Sequence, residues 1–119
     1  MPGGLWRDSG AGLAYHVKIT DSALSDVEAH VRFLRDVRGA PEAAERWYRG
    51  LVAAIFSLEE MPERCPVIPE ADEFSIELRQ LLFRSHRIIF RIDEPASAVR
   101  VLRVYHGARR ELRLEGVDD

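Results

Sequence analysis

A proline-rich stretch, PERCPVIPEADE at residues 62–73, divides this chain into two halves with different hydrophobic periodicity. Proline lacks a backbone N–H and has a fixed φ angle, so three prolines in this short stretch exclude a regular helix or strand. Before the stretch, apolar residues recur every three or four positions, as in amphipathic helices. After it, they occur in short β-rich segments. The sequence therefore predicts a helical half followed by a strand-rich half.

Two consecutive helices are predicted before the break. The first has one apolar stripe, made of Leu24, Val27, Val31 and Leu34. Thr20 or Asp21 can cap its start, and Gly39 suits the left-handed position after its end. Pro41 opens the second helix, whose apolar face comprises Ala44, Trp47, Leu51, Ala54, Ile55, Leu58 and Met61. The connection is short, so the two helices form an antiparallel hairpin. His30 lies on the first helix but outside its apolar stripe.

Strand patterns occur on both sides of the helices. YHVKI at residues 15–19 alternates, and the segments 74–83, 87–93 and 98–106 are β-rich. The links RSH and EPASA between these segments are short enough to require antiparallel hairpins. A helical hairpin with a broad apolar stripe needs a sheet face on which to bury it. We predict an α+β fold, β-α-α-β-β-β, with the hairpin packed on one face of a small antiparallel sheet.

The length of 119 residues suits one domain. We predict a domain at residues 15–113, a flexible glycine-rich leader at 1–14 and a frayed tail at 114–119. No apolar run approaches the ~20 residues of a membrane helix, and no secretory signal pattern is present. Cys65 is the only cysteine, which favours a reducing cytoplasm. No His or Cys pair has metal-ligand spacing and no glycine-rich nucleotide loop occurs, so we expect no metal and no cofactor.

The charges of the two halves differ in sign. Residues 21–73 contain six arginines and twelve acids, whereas residues 74–113 contain nine arginines, four acids and no lysine. Arginine suits bidentate contact with phosphate or carboxylate. The basic half is therefore either a solvated, strand-rich surface or a surface for an anionic partner such as nucleic acid or an acidic protein segment.

Alternation assigns the side chains of the last two strands to opposite faces of the sheet. Ile88, Phe90 and Ile92 form one apolar face for the helices, which leaves Arg87 and Arg91 on the open side. If Leu102 and Val104 also face the helices, Arg103 and Tyr105 join those arginines. His106 then points toward the helices, unless the strand ends or bulges there.

The segment LRQLLFRSHRIIFRI, followed by VRVLRVYHGARREL, resembles the C-terminal half of the RelE/ParE toxin family of type II toxin–antitoxin systems, the plasmid-stabilisation type. The connecting segment of the same family, which follows its helical hairpin, is similar to PERCPVIPEADEFSIELRQLL in this chain. The resemblance covers residues 15–112. It implies a growth-inhibiting toxin that a cognate antitoxin neutralises. RelE-like and YoeB-like members cut mRNA on the ribosome, whereas ParE-like members inhibit DNA gyrase by protein contact.

The resemblance leaves the choice between these targets open. In a nuclease, Arg87 in SHRIIF would stabilise charge on the scissile phosphate, and His106 in VYH would protonate the leaving oxygen. However, Leu78 and Gln80 occupy the positions of the RelE-type lysines, and Gly107 replaces the tyrosine expected after the histidine. The ending HGARR is closer to the ParE side. We favour a gyrase inhibitor over a metal-independent endoribonuclease, with an inactive binding module as a third reading.

The antitoxin is expected to present an acidic or amphipathic segment to the arginine-rich half. The residues predicted to bind the target or the antitoxin are Arg79, Arg84, Arg91, Arg103, Tyr105, Arg109 and Arg110. High salt should weaken such a complex, because exposed charges are screened.

Overall fold

The computed structural model describes residues 14–107. The helices and strands follow the predicted order β-α-α-β-β-β. The helices are α1 (Asp21–Arg32) and α2 (Pro41–Phe56), and the strands are β1 (His16–Ile19), β2 (Arg79–Phe83), β3 (His86–Asp93) and β4 (Ala98–His106). A π-helical turn at Phe33–Val37 ends the first helix. Three short 3₁₀ segments lie between α2 and β2. The predicted tail, and the leader apart from Ala14, lie outside the described residues.

The strands form one sheet in the order β1-β4-β3-β2. The pairs β2–β3 and β3–β4 are antiparallel, which confirms the hairpins predicted from the short links. β1 pairs in parallel with β4, from His16 opposite Ala98 to Ile19 opposite Val101, so the sheet is mixed. The helical hairpin connects β1 to the rest of the sheet in sequence. A connection of this length allows β1 to pair in parallel with another strand.

The helices cover one face of the sheet, as predicted. Ile88, Phe90 and Val104 are buried there against Trp47 and Leu51. Between residues 14 and 107, no helix is both long and apolar enough to cross a bilayer.

The predicted apolar stripe of α1 is wrong at its first position. Leu24 is 45% exposed, whereas Ala23 is fully buried. Contacts of Thr20 explain why the buried face of α1 is rotated from the predicted stripe. The Thr20 N–H donates to the Val101 carbonyl at 3.1 Å, and its hydroxyl donates to the Leu102 carbonyl at 3.1 Å. The same hydroxyl caps the helix by accepting from the N–H of Ala23. These bonds hold the start of α1 against β4.

The second face of the sheet is covered too, which contradicts the expected open side. The segment 66–78 folds across this face, and Ile68 and Leu78 pack on Ile89 and Leu102. Leu102 was expected to face the helices, but the register of β3 and β4 shifts between Ile89 and Phe90. This bulge turns Leu102 toward the covering segment, while Val104 still faces the helices. The layer order is helices, sheet, covering segment.

Two element boundaries differ from the predictions. β2 begins at Arg79 rather than residue 74, because Leu78 and the residues before it belong to the covering segment. α2 ends at Phe56, five positions before the predicted end at Met61. Met61 itself is exposed and has a φ of 51°, a left-handed conformation that no helix continues.

Candidate functional site: a histidine cleft at the end of the sheet

Arg87 lies on the covered face and is already engaged within the protein. Its Nη1 and Nη2 donate to the two carboxylate oxygens of Glu70 at 3.0 and 2.8 Å, and its Nε donates to Gln80 Oε1 at 2.8 Å. Its side chain is only 12% exposed. The Arg87 guanidinium also holds the pKa of the Glu70 carboxyl below its usual value. This fork–fork pair fixes the covering segment to β3.

Other arginines of the basic half also have partners within the fold. Arg103 donates to both oxygens of Asp26 on α1, at 2.8 and 2.9 Å, and lies 4.5 Å from the ring centre of the buried Tyr105. Arg91 and Arg100 approach one carboxylate oxygen of Asp93, at 3.8 and 3.2 Å. The charge asymmetry along the sequence is therefore partly neutralised within the fold.

The edge and the turn of the β2–β3 hairpin carry the two remaining described arginines of the predicted set. Arg79 donates to the carbonyl oxygens of Cys65 and Glu63, at 2.6 and 3.3 Å, and so fastens the edge strand to the proline-rich stretch. Arg84 is exposed in the turn, with a φ of 52°, and lies against the Phe83 ring. Arg109 and Arg110 lie outside the described residues.

His106 points toward the helices, as simple alternation predicts, and it belongs to a group of three histidines. The His86 ring centre lies 5.1 Å from that of His106 and 4.4 Å from that of His30 on α1. Trp47 on α2 contacts the same group, 4.5 Å from His30 and 5.1 Å from His86. One residue from each of four elements therefore meets at this end of the sheet.

These rings line a cleft of about 510 Å³ between the helices and the β2–β3 turn, which we call the histidine cleft. Its polar lining consists of His30, His86, His106, Arg38, Arg84, Ser85 and the indole of Trp47. No carboxylate lines it within the described part of the chain. The π-helical turn brings Phe33 and Leu34 to the apolar side of the cleft. The cleft thus combines cationic and aromatic groups with no acidic ones.

Burial favours the neutral form of two of the histidines. His86 is 5% exposed, and desolvation, followed by its interactions with His30 and His106, lowers its pKa to about 4. Desolvation and His106 also lower the pKa of His30. His86 is therefore neutral at pH 7 and is a poor general acid there. Within residues 14–107, no group of three His, Cys, Asp or Glu side chains is arranged to hold a metal ion.

The cleft brings His106 and Arg84 of the predicted set together but leaves out Arg87. Arg87 contacts Glu70 on the covered face, whereas His106 contacts His86 on the helix face. Sequence reasoning missed His30, His86 and Trp47 as a group, because they come from three separate elements. The one available signal was a histidine on α1 that did not fit the apolar stripe.

Comparisons with known proteins agree with the resemblance seen in the sequence. Residues 17–111 match the family described as "ParE toxin of type II toxin-antitoxin system, parDE". No curated protein matches the sequence. The fold is similar to a chain of the chromosomal ParDE toxin–antitoxin system from P. aeruginosa, with a TM-score of 0.64 and 22% identity over 78% of this chain and 96% of that one. It is also similar to a chain of the toxin–antitoxin complex RelBE2 from Mycobacterium tuberculosis, with a TM-score of 0.52 and 22% identity over 82% and 95%.

Proposed function

This chain belongs to the ParE toxin family of type II toxin–antitoxin systems, and we propose that it inhibits growth by binding DNA gyrase rather than by cutting RNA. The family match covers most of the chain and carries the toxin assignment. The choice of gyrase over RNA is the finer step, and it is supported by the placement of the two side chains that a nuclease would need.

The single observation behind this choice is that Arg87 and His106 lie on opposite faces of the sheet. A nuclease needs its phosphate-stabilising cation and its general acid around one scissile bond. Here both oxygens of Glu70 and the amide oxygen of Gln80 occupy the Arg87 guanidinium. The replacement of the expected lysines by Leu78 and Gln80 agrees with this reading, since Leu78 is 1% exposed.

An antitoxin partner follows from the family assignment. Two solved structures similar to this chain are described as a toxin–antitoxin system and a toxin–antitoxin complex. We propose that a cognate antitoxin binds this chain and silences it, and that the chain without it arrests growth.

A supercoiling assay with purified gyrase tests the proposal. Micromolar toxin should inhibit negative supercoiling and trap double-strand breaks that protease treatment reveals. The Arg49→Gln variant is a suitable control, because Arg49 is exposed on α2 and pairs with the exposed Glu45. It should inhibit as the wild type does. Folded toxin that leaves supercoiling unchanged at micromolar concentration would refute gyrase as the target.

One observation favours the alternative, a metal-independent endoribonuclease: His106 is exposed at the mouth of the histidine cleft beside two other imidazoles. Expression followed by primer extension on cellular transcripts separates the two functions. The proposal expects identical transcript ends for the wild type and His106→Ala. New ends that appear with the wild type and vanish with His106→Ala would establish the nuclease and reject the proposal.

A further inference from the structure

Two buried nitrogen atoms beside the histidine cleft have no hydrogen-bond partner among residues 14–107. They are Nε1 of Trp47 and Nδ1 of His86, and both side chains are about 95% buried. An indole N–H can only donate, so Trp47 requires an acceptor. A buried polar group without a partner destabilises the state in which it is left unpaired. Nδ1 of His86 can donate as well in one of its two neutral tautomers, so the unpartnered indole points to an acceptor that binds at this cleft.

The charges around the cleft indicate an anionic acceptor. Arg38 and Arg84 flank it, and no acid lines it within the described residues, although residues 21–73 carry twice as many acids as arginines. Asp26 lines the adjoining pocket beside the same three histidines, but Arg103 and the N–H of Val104 already bind its carboxylate. An anion entering the cleft therefore meets two guanidinium groups and three imidazoles without facing an unpaired carboxylate.

The apolar side of the cleft indicates a peptide rather than a nucleic acid. Phe33, Leu34 and Ala43 line it next to Trp47. Nucleic acids are bound through many phosphate contacts, whereas two arginines flank this cleft within residues 14–107. A segment with apolar side chains and an isolated carboxylate fits both the aromatic wall and the two cations.

We propose that the histidine cleft binds an acidic, partly apolar peptide segment of the antitoxin, with one carboxylate accepting hydrogen bonds from Trp47 Nε1 and the histidine side chains. The identity of the partner rests on the proposed function; the carboxylate chemistry rests on the cleft alone. Both nitrogens are covered in this structure, so the carboxylate reaches them after a neighbouring ring such as that of His30 turns. Arg38 and Arg84 attract and hold the carboxylate at the entrance.

Nuclear magnetic resonance of the full chain, labelled with ¹⁵N on its indoles, tests this directly. The two indole signals are assigned with a Trp6→Phe variant, so that Trp6 serves as an internal reference. The probes are a capped hexapeptide of leucine and serine that carries a single glutamate, the matched peptide with glutamine in its place, inorganic phosphate and a six-nucleotide oligouridylate. The glutamate peptide should shift the Trp47 signal saturably at millimolar concentration or below, and the glutamine peptide should not.

A double variant, Arg38→Gln with Arg84→Gln, should weaken binding of the glutamate peptide at least about tenfold, since charge-assisted hydrogen bonds are lost. Arg49→Gln, outside the cleft, should leave it unchanged. Equal shifts with both peptides would mean a merely apolar groove and would overturn the proposal. So would tighter binding of the oligouridylate, a response to phosphate alone, or no shift at all. A Trp47 signal that moves when residues 114–119 are deleted would assign the cleft to the chain's own tail instead.

The titration contains no gyrase, so its outcome is separate from that of the proposed function. A toxin that fails to inhibit gyrase but binds the glutamate peptide would lose its proposed target and keep this site. A toxin that inhibits gyrase but ignores the peptide would keep its target and lose the site.

Discussion

At the scale of single residues, buried polar side chains join the helices to the sheet. Thr20 and Asp26, both at the N-terminal part of the helical hairpin, bind the edge of β4 beyond the end of β1. Asp26 accepts from the Val104 N–H and from two nitrogens of Arg103. His86 sits close by, neutral and almost fully buried. These few groups determine where α1 lies and how the histidine cleft is shaped.

Asp26→Asn should destabilise the fold by about 2 kcal/mol, because the charge-assisted bonds to Arg103 are lost and one amide N–H₂ then faces other donors. Urea unfolding measures this change. Asp36→Asn is the matched control, since Asp36 pairs with Arg35 on the exposed end of the first helix, and its loss should be barely detectable. Equal effects of the two substitutions would contradict the assigned role of Asp26.

Stability should fall on acidification because of His86. Its pKa is about 4 in the folded chain and 6.5 for an unperturbed histidine, as in the unfolded chain, so only the unfolded chain gains a proton between these values. The stability is fully present above pH 6.5 and declines as the pH falls toward 4, by about 3 kcal/mol in total.

Unfolding free energies measured across this pH range check the effect of His86. His86→Gln removes this titrating group and should reduce the slope, whatever its effect on stability at pH 7; the remaining slope includes the contribution of His30, whose pKa is also lowered. His16→Gln on the exposed side of β1 should leave the slope unchanged. A wild-type slope in the His86→Gln variant would assign the pH dependence to other groups.

At the scale of elements, the covering segment 66–78 has no regular secondary structure beyond one 3₁₀ turn and an isolated bridge at Val67. Ile68 and Leu78 supply its apolar anchor, and the Glu70–Arg87 pair supplies its polar anchor. A buried ion pair adds little net stability compared with apolar packing, but the loss of one partner leaves a charge uncompensated. The pair therefore determines where this segment lies more than how stable the whole protein is.

Arg87→Gln should consequently release the segment 66–78, with a loss of about 2–4 kcal/mol, because Glu70 is left partly buried without its partner. Hydrogen exchange should rise in this segment far more than in α2. Glu70→Gln on top of Arg87→Gln should recover part of the loss, since the unpaired charge is then gone. The exposed Arg49–Glu45 pair provides the comparison, and removing it should change little. A double variant no more stable than Arg87→Gln would refute a coupled pair.

Across the protein as a whole, the basic and acidic halves of the sequence neutralise each other between the layers. Arg87 in the sheet pairs with Glu70 in the covering segment, and Arg103 pairs with Asp26 on the helix. All four side chains are 12–21% exposed, so salt screens them weakly. The cations at the histidine cleft, by contrast, include the exposed Arg38 and Arg84.

Salt should therefore act differently on folding and on binding. Raising the salt concentration well above the physiological level should change the free energy of unfolding by less than about 1 kcal/mol. Binding of the antitoxin, or of the glutamate peptide, should weaken severalfold under the same conditions. Calorimetric titration and urea unfolding in matched buffers measure both. Salt-insensitive binding would indicate a mainly apolar interface.

Local signals along the chain were enough to predict the order of elements, the helix-facing apolar side of β3 and the family. Hydrophobic periodicity, prolines and short links act on residues that are close together in the sequence. They therefore indicate helices, strands and hairpins without any knowledge of the tertiary structure. Thr20 as a cap and Trp47 as a core residue are of this kind.

The partner of each polar side chain, by contrast, emerged only from the folded arrangement. The bulge at Ile89/Phe90 turned Leu102 away from the helices, and the covering segment gave Arg87 a partner 17 positions away. The histidine cleft required residues 30, 47, 86 and 106 to converge from four elements. Contacts of this kind depend on how layers dock, which is set by packing over the whole core and leaves no local pattern in the chain.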